Sequence, residues 1–235
     1  MTGMGRVVGG GLASMLILAA WGCRYDAVPP RSALAAPAGG APVAEPSAPE
    51  PEVDVEREEY FVYDDLIRGE YWWDGIELVV LSNRTVVGHG EKGSLEGAVA
   101  RIREALPGAQ AETIADFERK NATPQELRAD LFFRPRPSPG GKDRIVLGPE
   151  VKLISEGEKN KLFQKGDGWK RFYATYPESQ GILDVSRVGF NGDRTQALVY
   201  AGNQSHWLAG AGFYVLLEKK DGKWEIAAKD GCWIS

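Results

Sequence analysis

Histidine and cysteine are scarce in this 235-residue chain, with two of each: His89, His206, Cys23 and Cys232. That inventory cannot furnish a closed zinc site, and the spacing fits no metal motif. No basic run exists either. With 28 Lys and Arg against 33 Asp and Glu the formal net charge is −5, so the chain lacks the electrostatic footprint of a nucleic-acid partner. A G-x-S-x-G elbow is missing. The one glycine-rich stretch, Leu208-Ala209-Gly210-Ala211-Gly212, lacks the Lys-Ser/Thr pair and the strand-to-helix setting of a phosphate loop. Its small residues are expected to let two strands approach closely or to bend at a bulge. No internal repeat is visible, and no cofactor is expected. Cys232, left without an intramolecular partner, reads as a buried thiol beside Trp233.

What is present begins with an amino-terminal address. Arg6 precedes an apolar segment, 7–20, that is too short to span a bilayer and has the length of a signal-peptide core. It runs into Leu18-Ala19-Ala20-Trp21-Gly22-Cys23, which resembles the lipobox of bacterial lipoproteins. Ala20 stands where that pattern prefers Leu, and Trp21 where it prefers a small residue. The resemblance implies a signal peptide over 1–22 and lipid on Cys23. Acyl chains there would hold the protein at a membrane as a lipoprotein facing the periplasm, at the outer membrane because Arg24 is not the retaining Asp. The alternative is an ordinary secretory signal cleaved near Gly22. Residues 23–55 then read as a tether: 27–53 holds seven of the fourteen prolines and almost no large apolar residue, too little to offset its ordering entropy.

Residues 56–235 read as a single α+β domain. Its organising element is 182–235, expected to be an antiparallel four-stranded meander of ILDVSRVGF, TQALVYAGN, AGFYVLLEKK and KWEIAAKDGCWIS. Asn191-Gly192-Asp193 and Asp221-Gly222 supply the turns. Ala197, Val199 and Ala201 oppose Leu198 and Tyr200, and Phe213, Val215 and Leu217 oppose Tyr214 and Leu216. Both faces of the sheet are therefore expected to be at least partly covered, with several helices packed on it. A buried run at 76–81 is a fifth-strand candidate. Helices are expected at 58–71, from Ser94 to Pro107-Gly108, at 112–120, at 124–130 and after Ser155. The fourth is signalled by the capping box Thr123-Pro124-Gln125-Glu126 and the last by Ser155-Glu156-Gly157-Glu158. Residues 134–142 read as a loop. Trp169, Phe172, Tyr173 and Tyr176 share the face of a further helix expected to pack on the sheet.

YFVYDDLI, LVVL, DFERKN and FYATYPESQG, then SRVGFN, TQALVY, GFYVLLEK and a closing GKW, together resemble an uncharacterised family of bacterial exported proteins and lipoproteins. The likeness runs from about Tyr60 to the end. It implies export and carries no activity. Some members have cysteines in the stretch corresponding to 204–212, and this chain has none there.

Two functions from different classes follow. The first is a non-catalytic binding domain of the cell envelope. It would contact an envelope protein or small ligand through a loop of Asn203, Gln204, Ser205, His206 and Trp207. The second is an envelope hydrolase drawn from Ser205 or Ser186, His206 and Asp184. Against it, Ser205 and His206 are sequence neighbours whose side chains point apart on an extended segment.

Overall fold

The computed structural model describes residues 54–88, 94–137 and 143–235; the expected signal peptide, Cys23, the tether as far as residue 53, and His89 lie outside them. The first described element is α1, Val55–Leu66, capped by the Asp54 carboxylate, which accepts from the Glu56 amide at 3.1 Å. A π-helical turn, Ile67–Tyr71, prolongs it through Gly69. Tyr63, Leu66, Ile67 and Tyr71 are all buried, as their helical spacing predicts.

The sheet corrects the expected fold. In place of a four-stranded antiparallel meander there are seven strands in a mixed sheet, ordered β2-β1-β3-β5-β6-β7, with β4 paired to β5. They are β1 (Leu78–Ser82), β2 (Glu150–Ile154), β3 (Ser179–Val185), β4 (Gly189–Phe190), β5 (Gln196–His206), β6 (Ala209–Lys220) and β7 (Lys223–Ile234). β1 runs parallel to β2 and β3, and the other pairings are antiparallel. Three physical reasons account for the difference. β2 reads EVKLI, an edge strand with a wet side, so it carries no buried run. The parallel pairs are joined by helical crossovers, which no hairpin signal announces. And ILDVSRVGF is two strands, because at Ser186 the side chain enters the ladder: its hydroxyl accepts from the Tyr200 amide at 2.8 Å and donates to Arg187 O at 2.9 Å.

Both faces of the sheet are covered. α1 packs on Val79, Leu81, Leu183, Val199, Val215 and Leu217. On the opposite face, α2 (Leu95–Ala105, capped by Ser94) and α3 (Ala111–Asn121) bury Val99, Ile102, Ile114 and Phe117 against Leu198, Tyr200, Tyr214 and Leu216. Further along that face, α4 (Glu156–Phe163) and α5 (Gly168–Thr175) cover Val80, Ile154 and Ile182 with Trp169, Phe172 and Tyr176.

The two capping boxes part company. Ser155 and Glu158 form both reciprocal bonds and start α4. The helix expected at 124–130 is absent: Thr85 N donates to Gln125 O at 2.9 Å and Leu127 N to Asn83 O at 2.8 Å, an extended pairing followed only by a 3₁₀ turn at Ala129–Leu131. Burial of Leu127 and Phe132 against the core outweighs a cap worth about 1 kcal/mol. Among the described residues no helix is long and apolar enough to cross a membrane.

Asp64 is fully enclosed beneath α1. Burial pushes its carboxyl up to about 7, against the opposing influence of a 2.9 Å bond from Phe133 N and of Arg136 at 3.8 Å. A carboxyl whose folded pKa is raised stabilises the fold below its unfolded pKa, near 3.8, and loses that contribution as pH climbs to about 7. Asp64→Asn is therefore expected to flatten the stability-pH curve across that window. Urea melts of both proteins from pH 4 to 8 check this, and parallel curves would refute it.

Candidate functional site

β5 is extended almost to the end of the stretch expected to be a loop. Gln204 pairs with Gly210 and His206 with Ala209, so only Trp207 and Leu208 form the turn. Small residues make that close pairing feasible. A Cβ at Gly212 would collide with the Trp233 ring, and one at Gly210 would lie 2.9 Å from it. Trp233 thus lies over a glycine floor, its indole donating to Tyr200 Oη at 2.8 Å.

The hairpin tip rests on α4 and α5. His206 stacks on Trp169 with centroids 6.4 Å apart, and Trp207 meets Phe163 edge-on at 5.7 Å and Trp169 at 6.4 Å. Tyr173 Oη donates to Ser205 O at 2.8 Å, and Ser205 Oγ donates to Ala209 O at 3.2 Å. Trp207 remains 50% exposed, so it is a cover on one side and an open surface on the other.

Beside the tip lies a groove of 430 Å³ between the end of the π-helical turn and β5–β6, lined by Tyr71, Trp73, Asn203, Ser205 and Phe213 and bordered by the Glu70–Lys229 ion pair at 2.7 Å. Asn203 Oδ1 is buried with no hydrogen-bond partner among the described residues, and neither amide atom of Gln180 has one. Asn203 Nδ2 donates to Gln180 O at 3.3 Å. An unpaired buried amide is costly, and of these two residues Asn203 lines the groove, where a polar group in an apolar lining sets ligand orientation. Trp73, Trp207, Leu208 and Ile234 are all exposed: Trp73 lines this groove, Ile234 pairs with the lining residue Ala211, and Trp207 and Leu208 form the turn at the same end of the sheet.

The other residues singled out in the sequence lie elsewhere. Asp184 pairs with Gly202, four residues before His206 and so about 13 Å away at the usual strand rise. It sits instead at the carboxyl end of β3, where it accepts a short hydrogen bond from Ser82 Oγ of β1 and lies 3.4 Å from Lys159 Nζ of α4. A 270 Å³ cleft opens there, lined by Ser82, Thr85, Ile154 and Lys159. The chain leaves β1 toward β2 and β3 toward β5, the divergence that opens a crevice in parallel sheets. Ser186 is fully buried and committed to the β3–β5 ladder. Ser205, His206 and Asp184 therefore do not converge. Cys232 is half-buried, and burial raises its thiol. Among the described residues no group of three or more His, Cys, Asp or Glu could hold a metal.

Trp73, Ser82 and Lys159 were missed in the sequence. Trp73 lies just outside a helical stripe, and Ser82 meets Asp184 across more than a hundred residues of chain, so neither leaves a local signal. No family model, curated protein or solved structure is significantly similar to the chain.

Proposed function

We propose that the chain is a non-catalytic binding domain of the bacterial cell envelope, exported and held by lipid on Cys23 at the periplasmic face of a membrane. It captures an envelope protein or small ligand in the groove beside the β5–β6 tip. One observation carries this reading: a groove is lined by the exposed Trp73 and by Asn203, whose buried Oδ1 has no partner among the described residues, and Trp207, Leu208 and Ile234 are exposed at the same end of the sheet. Apolar surface concentrated in that way marks an interaction site. Of the sequence candidates, Asn203 and Ser205 line the groove and Trp207 lies in the adjoining turn. The hydrolase alternative has less support, because its acid and its histidine are apart.

Trp207→Ala tests the contact. Full burial of a Trp is worth about 3–5 kcal/mol, and half of this ring is in water, so the variant should lose about 1–2 kcal/mol in a urea melt and stay folded. A pull-down from native envelope should then recover a partner with the wild-type chain and lose it with the variant. Equal recovery would place the contact elsewhere. The anchor has its own test. Cys23→Ser is expected to move the protein to the soluble fraction in detergent-free fractionation, and a variant still with the membrane would end the lipoprotein reading.

A further inference from the structure

On the side of the molecule where α1 meets the start of β7, a third cavity, of 340 Å³, has a different character. Four cations line it, Arg68, Arg136, Arg144 and Lys223, against one lining carboxylate, Asp65. That carboxylate is already shared. Asp65 Oδ2 accepts from Arg136 Nη1 at 2.6 Å and from the Trp224 amide at 2.8 Å, and Asp65 Oδ1 lies 3.7 Å from Arg68 Nη1.

The two deeper guanidinium groups are fixed in place. Arg136, only 7% exposed, also donates to Phe61 O at 2.9 Å and stacks over the Phe61 ring at 4.8 Å. Arg68 donates to Leu147 O at 3.0 Å. Yet Arg68 Nε and Arg136 Nε are both buried without a hydrogen-bond partner among the described residues. Burial lowers the Arg68 pKa, and the charges of Arg136 and Arg144 add to that effect. Closely spaced, preorganised forks with unmet donors are the arrangement that recognises a planar or tetrahedral oxyanion.

The rest of the lining is apolar. Trp72 forms one wall, and Ile145 and Leu147 are 78% and 73% exposed although Val146 between them is buried. Two large aliphatic side chains in water beside a cationic floor need a ligand with both characters. We propose that this cavity binds an anionic amphiphile, a single carboxylate or phosphate carried on an apolar stem, with the head group on the arginines and the stem along Ile145 and Leu147. The site is separate from the groove at the hairpin tip, and neither reading depends on the other.

Calorimetric titration of the full chain bearing Cys23→Ser, which leaves no acyl group of its own, tests it with octanoate as probe. Binding is expected with octanoate and absent with octyltrimethylammonium, which has the same stem and the opposite charge. The exposed pair Arg144→Gln and Lys223→Gln should weaken octanoate tenfold or more with an unchanged melting temperature, since neither supports the core. Ile145→Ser should weaken octanoate and leave inorganic phosphate unaffected. Three results would overturn the proposal: no heat with octanoate up to about 10 mM, where even a weak ion-paired site should fill; equal binding of the cationic amphiphile; or full octanoate affinity in the Arg144/Lys223 variant.

Discussion

Lys120→Met is expected to destabilise the domain by about 3–5 kcal/mol, the loss that follows when one partner of a buried ion pair is removed. Lys120 and Glu59 are both almost wholly enclosed, with Nζ 3.0 Å from Glu59 Oε1, 3.2 Å from Asp116 Oδ2 and 2.9 Å from Val188 O. Arg187 reaches the same Glu59 from the link between β3 and β4, at 2.8 Å. Burial alone would raise the Asp116 carboxyl, but the Phe190 amide and Lys120 hold it below its ordinary value. Methionine would fill the space and leave Glu59 facing a single cation, and Lys120 contacts three separate parts of the chain. A urea melt measures the change, and a loss under about 1 kcal/mol would mean that water reaches and screens the cluster.

Gly189→Ala is expected to cost about 3 kcal/mol for a steric reason. A Cβ at this position in β4 would lie 2.5 Å from Thr113 O and from Phe117 Cβ, with the Phe117 amide as close. Two of these are backbone atoms of α3, so no rotamer change relieves the clash. Helix and strand would have to separate, opening the cluster around Phe117. The melt again decides it: stability within about 0.5 kcal/mol of wild type would show that α3 shifts freely.

Of the groove only Asn203 and Ser205 were legible in the sequence, and of the cation-lined cavity nothing was; the contrast is physical. Tyr63, Leu66, Ile67 and Tyr71 announce a buried helical face because periodicity is local, and the opposing sets on β5 and β6 do the same at period two. Ser94 and Ser155 mark true helix starts, each side chain accepting from a backbone amide of the first turn. Thr123-Pro124-Gln125-Glu126 has the same signature, but its backbone is claimed by Asn83 and Thr85, a competition invisible at short range. Glu59 of α1 and Lys120 of α3 meet only in the folded domain, a pairing with no local signal. Trp207 was legible as a conspicuous aromatic. That it rests on Phe163 and Trp169 follows from the packing of α4 and α5 at the strand end, which no spacing encodes. Arg68 and Arg136 owe their proximity to a segment folding back over α1.

The strand order also dictates an assembly sequence. β5, β6 and β7 are linked by two-residue turns and pair with sequence neighbours, so their loop-closure entropy is small and they can form early. β1 sits between β2 and β3, and Leu78 finds its partners only at Glu150 and Ser179. A chain emerging amino-terminus first during synthesis would therefore deliver β1 long before anything exists to flank it. The β2–β1 side of the sheet should close last, after β3 has docked on a preformed β5–β7 unit, and until then LVVL is an unpaired apolar strand open to intermolecular pairing. Folding of this domain should accordingly be sensitive to holdase chaperones, with β1 as the segment they protect.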